Sequence, residues 1–152
     1  IFGEQKETEE TLWIRDKEVN KFCMYLQRAI HKMSYLDPNR EKIIFTYSYA
    51  LEVIGDEVGR SWRTSIVGGI ERSKELKKMM GMCYEALLKS FHMYYHFKIQ
   101  DLKDVFELRH QVRRLSLKAP CPNNETQTFI RRIVNIIEQI ADLRHLSLMK
   151  KL

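Results

Sequence analysis

Glycine and proline are scarce in this sequence, at 6 and 3 of its 152 residues. That scarcity excludes a collagen-like chain, a low-complexity chain and a turn-rich β-sandwich. The three cysteines, Cys23, Cys83 and Cys121, are widely spaced and form no CxxC pair. Neither a zinc ribbon nor a disulfide framework is therefore indicated, and free thiols point to a reducing, cytoplasmic setting. No apolar run approaches the roughly 18 residues that a membrane span needs. Alternating apolar–polar runs of strand type are missing too. So are a Gly-rich phosphate loop, a GxSxG elbow and a Cys/His nucleophile pair, and a non-enzymatic protein is expected. No helix-turn-helix spacing or Cys/His finger occurs, so direct contact with nucleic acid by this stretch is not expected.

What is present is the balance of a folded domain, 44% hydrophobic and 30% charged. At this length about two-thirds of the unfolded chain's surface can be buried. Lys and Arg outnumber Asp and Glu by 26 to 20, a net charge of +6, which favours acidic partners. The chain opens on Ile1 and carries no signal-peptide pattern, so the expectation is a fragment with sequence missing upstream.

Apolar residues recur at spacings of three and four along nearly the whole chain, which predicts an all-α protein of five helices. The first ten residues are polar and acidic and are expected to fray, unless they are the tail end of a longer helix. A helix over 12–33 carries Val19, Phe22, Cys23, Leu26, Ile30 and Met33 on one stripe. A break follows near Leu36-Asp37, and Asp37-Pro38 is an N-cap followed by a proline suited to the first helical turn. The second helix, 38–67, has the stripe Ile43, Tyr47, Ala50, Ile54 and Val58 and stops at Gly68-Gly69. A third helix is predicted over 70–97 on Leu76, Met80, Cys83, Leu87, Phe91 and Tyr94. A fourth, over 102–117, has Asp101 as its cap. The last follows Pro120-Cys121-Pro122, with Asn123 as its cap.

The sequence also matches itself at a shift of 86 residues. Leu51-Glu52-Val53-Ile54-Gly55-Asp56 falls on Ile137-Glu138-Gln139-Ile140-Ala141-Asp142. The stripe residues Ile43, Tyr47, Ala50 and Ile54 land on Phe129, Ile133, Ile136 and Ile140, and the cap Asp37 lands on Asn123. Val19 lands on Val105, and Leu26 on Val112. The repeating unit is a helix, a loop and a motif-bearing helix, and the second copy has a further helix leading it. This divides the chain at 1–67 and 68–152, one partial and one complete three-helix repeat. The first copy lacks a leading helix, so one apolar face should need cover, and a homodimer is expected.

Glu52 and Asp56 stand four residues apart, on one helix face, about 160° from Ile54. Glu138 and Asp142 repeat that relation. Two carboxylates on adjacent turns can clamp a metal, though a solvated acidic pair is the commoner use of such spacing. The segment Leu51-Glu52-Val53-Ile54-Gly55-Asp56-Glu57, with its looser second copy, resembles the glutamate-x-isoleucine-glycine-aspartate signature of PhoU-type phosphate-signalling regulators. Arg15-Asp16-Lys17-Glu18-Val19-Asn20 resembles the opening of that family's middle helix. The resemblance covers nearly the whole chain. It implies a PhoU-like helical bundle, iron- or zinc-type metal clusters, and control of phosphate uptake through a transporter or sensor protein, with peripheral contact to a membrane complex. The family's middle helix also supplies carboxylates facing the signature. Here those positions are Asn20 and Met24 in the first copy and Phe106 and His110 in the second. A metal is therefore expected on Glu138, Asp142 and His110 before Glu52 and Asp56.

Two other readings stay open at this level. One is a metal-binding helical enzyme or storage bundle built on Glu138, Asp142 and His110. The other is an oligomerisation module for an upstream DNA-binding regulator. His92 and His96 share a helix face but have no third ligand. Glu107 and His110 form a single ExxH, where a di-iron bundle needs two. Arg109, Arg113, Arg114 and Lys118, with Arg131 and Arg132, form a basic region suited to solvent, acidic lipid or an acidic protein.

Overall fold

The computed structural model describes residues 9–32, 37–71 and 73–149. These residues are helical with short connections, as the periodicity predicts: α1 (Glu9–Lys32), α2 (Pro38–Val67), α3 (Lys74–Tyr95), α4 (Ile99–Ser116) and α5 (Asn124–Met149). No strand occurs among them. Met33 and the break at Leu36, like most of the opening polar segment, lie outside the described residues. Residues 9 and 10 belong to α1, so at that end the acidic segment joins the helix and does not fray.

The ends of the helices follow from local chemistry. Asp37 Oδ1 accepts from the Asn39 backbone N–H at 3.1 Å, and Pro38 opens α2 behind it. At its other end Gly68 N–H donates to Thr64 O, and Ile70 N–H reaches back to Ser65 O. A Cβ on Gly68 would stand 2.8 Å from Thr64 O and 2.9 Å from Glu125 Cβ. Gly69 has φ +54°, the left-handed region that favours glycine. Both glycines are thus required by the turn. Asn123 Oδ1 caps α5 by accepting from Thr126 N–H at 2.8 Å, so Asp37 and Asn123 do the same work at equivalent ends.

Two boundaries differ from the expectation. α3 starts at Lys74, because Ser73 Oγ accepts from Leu76 N–H at 3.2 Å and supplies the cap, while Ile70 is buried in the core ahead of the helix. α4 starts at Ile99, so Asp101 sits inside its first turn and does not cap it.

The helix α5 is the centre of the packing: α2, α3 and α4 all contact it, and α3 and α4 contact each other. Among the described helices, α1 packs its backbone on α2 alone. Phe129, Ile130, Ile133, Ile136, Ile137 and Ile140 of α5 join Tyr47 and Ile54 of α2 and Leu76, Met79, Cys83 and Ala86 of α3 in one core. The Cys83 thiol lies 3.7 Å from Ile133 O, and Ser90 Oγ lies 3.5 Å from Ile140 O. Each pair is two helical turns from the other on both helices, so α3 and α5 run parallel in one register. Their buried contact corrects the expected α3 stripe. Met79, Ala86, Ser90 and Met93 face inward with Leu76 and Cys83, whereas Phe91 is half exposed. Small side chains let the two helices approach, and counting bulky apolar residues misses them.

Burial drives the Cys83 thiol up to about 12, and Cys23 is buried and raised as well, by desolvation and then by the Glu52 charge. Cys121 is exposed. In the folded protein at mildly alkaline pH one thiol should therefore react promptly with an aromatic disulfide reagent, and all three after denaturation. Three fast thiols in the native state would contradict this packing. In denaturant titrations, Asn123→Ala should lower stability by about 1 kcal/mol through loss of the cap. Ile133→Ala should lower it by about 2–5 kcal/mol through loss of core volume.

Candidate functional site

The second acidic motif is built across α4 and α5. Helical spacing puts Arg109 and Arg113 one turn apart on α4, facing Glu138 of α5. Arg109 Nε donates to Glu138 Oε2 at 2.7 Å, and Arg113 Nε donates to Oε1 at 2.6 Å. Partial burial opposes ionisation of Glu138, but the two guanidinium hydrogen bonds outweigh it and hold the carboxyl below its ordinary range. Arg109 is raised in turn, by its bond to Glu138 and by the charges of Glu138 and Asp142. Asp142 is exposed on the same helix. His110 presents its ring edge-on to Phe106, with centroids 4.4 Å apart, and Arg144 lies over the same phenyl ring at 5.3 Å. The structure thus brings two arginines to Glu138, and it groups His110 with Phe106. Among the described residues no group of three or more His, Cys, Asp and Glu side chains is placed to hold a metal ion, so Glu138, Asp142 and His110 do not converge as expected.

The first motif is arranged differently. Glu52 is half-buried on α2, and its charge acts on Cys23 of α1. Asp56 accepts from Arg60 at 2.9 Å, one turn along the same helix. Its neighbour Glu57 turns inward and is nearly buried at 7% exposure. Glu57 accepts from Arg132 of α5 at 3.0 Å and from Arg60 at 3.4 Å. This pair ties the two motif helices together. By sequence pattern Arg132 belongs to a basic region and Glu57 has no role of its own. The signal available was position: Glu57 lies about 60° from Ile54 on the wheel, on the flank that meets α5.

The histidines His92 and His96 are both exposed at the end of α3. Of the basic region, Arg114 pairs with Glu107 at 3.0 Å, while Lys118 and Arg131 are exposed. Lys89 joins α3 to α4 through Asp104 at 2.8 Å, and that contact raises the lysine and lowers the aspartate.

One large concave feature is apolar. A groove of about 830 Å³ runs between α1 and α3 with α2 as its floor. Val19 and Phe22 form one wall, Leu51 and Gly55 the floor, and Gly81 and Tyr84 the other wall. α1 lies against α2 at Gly55, where a Cβ would stand 3.4 Å from Val19 Cγ1, an ordinary van der Waals contact.

No family model matches this chain, and neither does any curated protein or solved structure. No helix among the described residues is long and apolar enough to cross a membrane.

Two substitutions test the ion pairs. The native value of Glu138 is depressed, so as pH falls below about 5 the unfolded chain takes up the proton first, and stability is lost through the native value. Glu138→Gln should cost about 1–2 kcal/mol at neutral pH and make the stability-against-pH curve flatter between about pH 5 and 3. An unchanged slope would show that the clamp contributes nothing. Arg132→Ala leaves Glu57 buried with only the longer Arg60 contact, and unfolding measurements should show a loss of about 2 kcal/mol, below the range for a fully orphaned charge.

Proposed function

We propose that this chain is a non-enzymatic regulatory domain of the PhoU type. It controls phosphate uptake through protein–protein contact with a transporter or sensor on the cytoplasmic side. Three features support the reading: the helix order, the two motif helices packed on each other, and the equivalent side-chain caps at Asp37 and Asn123.

The observation that carries it is the clamp on Glu138. This carboxylate occupies the signature position and has both oxygens on arginines of α4. It holds two helices together and offers no free base, and a cation there would have to displace both guanidinium groups. Glu57 serves the same structural end between α2 and α5. With the motif's charges used this way, the domain acts through its surface. The exposed basic side chains Lys118 and Arg131 suit an acidic segment on the partner.

Deletion of the chain in its host, followed by phosphate-uptake measurements, tests the reading. Uptake should stay high when phosphate is plentiful. The intact chain should restore the shut-off, and a Lys118→Glu, Arg131→Glu double variant that folds normally should not. Uptake that responds normally without the chain would remove the phosphate role.

A further inference from the structure

A second groove lies between α4 and the last turns of α5, and its chemistry differs from that of the first. It measures about 370 Å³, within the range of about 300–1,000 Å³ that small-molecule sites occupy. Leu102, Lys103 and Phe106 of α4 form one side, and Arg144 and His145 of α5 form the other. Helical spacing puts Lys103 and Phe106 one turn apart on the same face. The floor is firm, because Leu102 packs on Met93, Val105 and Ala141, which are buried where α3, α4 and α5 meet. Packed helices therefore fix where each side chain of the groove begins.

The cations of this groove are left without carboxylates. Neither Lys103 nor Arg144 forms an ion pair among the described residues. The acidic side chains nearby are committed elsewhere: Asp104 to Lys89, Glu107 to Arg114, and Glu138 to Arg109 and Arg113. Asp142 is exposed, and its charge acts on Arg109. Arg144 is half-buried and lies over the Phe106 ring at 5.3 Å. Partial burial of a guanidinium costs free energy, and a ring face offsets less of that cost than a carboxylate does. An anion from outside the chain completes the arrangement.

Two features decide what kind of anion fits. Lys103 and Arg144 stand on opposite walls, each with several N–H donors. A phosphate group, with up to two charges and several acceptor oxygens, can use both at once. The rest of the lining is Leu102, Phe106 and the imidazole of His145, surfaces that take a flat ring by stacking. Phe106 is still 44% exposed with Arg144 over its face and His110 against its edge, so ring surface remains available.

We propose that this groove is a nucleotide-binding site. Lys103 and Arg144 hold the phosphate, and the base stacks on Phe106 above Leu102. The lining offers no amide or hydroxyl side chain, so the base is held by its flat surface and its edge is not read. Nucleotide binding here stands apart from control of phosphate uptake, and either can hold without the other. A phospholipid headgroup shares the phosphate and lacks the ring, which separates the two sources by experiment.

Isothermal titration calorimetry at low salt, with circular dichroism alongside, tests the site. AMP should bind at least about tenfold more tightly than ribose 5-phosphate, which lacks the base, or adenosine, which lacks the phosphate. Arg144→Ala and Lys103→Ala should each weaken AMP binding about tenfold with helix content unchanged. Arg144→Lys keeps the charge and loses the planar fork, and should fall between the intact chain and Arg144→Ala. Phe106→Ala should weaken AMP about tenfold and leave ribose 5-phosphate unaffected. Lys78→Ala, which removes an exposed cation toward the far end of α3, should change nothing. No heat from AMP up to about 1 mM overturns the proposal. Ribose 5-phosphate or phosphatidylglycerol vesicles that bind as tightly as AMP overturn it too, and give the groove to phosphate alone or to lipid. An equal loss in Lys78→Ala would reduce the effect to general charge attraction and overturn it likewise.

Discussion

The burial of α5 is the constraint on which the rest of the structure depends. Its isoleucines at 130, 133, 136, 137 and 140 are buried, and three helices converge on them. A helix that is apolar over so wide an arc can satisfy its surface only inside a bundle. That requirement gathers α2, α3 and α4 around α5, with Tyr47 of α2 meeting Tyr94 of α3 at 4.7 Å between ring centroids. It also explains why α3 meets α5 through Cys83, Ala86 and Ser90: bulky side chains on both surfaces would hold the backbones apart. A hydroxyl and a thiol in such a dry contact need acceptors, and the carbonyls of Ile140 and Ile133 are the atoms within reach.

Charge is then arranged around that core and does not build it. Glu57 with Arg132, Glu138 with Arg109 and Arg113, and Asp104 with Lys89 each bridge two helices. None of these bridges is fully exposed, and hydrogen bonds set their geometry, so they fix how neighbouring helices are rotated against each other. The acidic motif therefore has two parts with different uses. Glu138 belongs to the internal scaffold, while Asp56 and Asp142 remain nearer the solvent. The packing also separates two kinds of surface: the exposed basic side chains Lys118 and Arg131, and the apolar groove beside α1.

Much of the fold was legible because helices announce themselves locally. The 3.6-residue period located all five, and the two-glycine turn and the Asp37-Pro38 start sit where the chemistry of φ and of capping puts them. The weaker signals failed in characteristic ways. Asp101 is as good a cap by type as Ser73, and only the path of the chain decides which of them meets a free N–H. The inner face of α3 is hard to see in the pattern because Ser90 and Ala86 are neutral in a sequence, although they are buried completely.

The sequence by itself determined the helical class, the five described helices and the caps at Asp37 and Asn123. These depend on residues within a turn or two of one another, and short-range sterics and hydrogen bonding settle them. Tertiary structure alone decided what each carboxylate does. Glu52 and Glu138 fall on each other at the 86-residue shift of the sequence, yet one lies beside a buried thiol and the other between two guanidinium groups. The open groove is likewise a tertiary fact: Phe22 belongs to the predicted apolar stripe, and only the packing of α1 on α2 leaves it uncovered. Partners that are 25 to 75 residues distant along the chain, as Arg113 is from Glu138 and Arg132 from Glu57, are chosen by how the helices pack, and no local pattern encodes that choice.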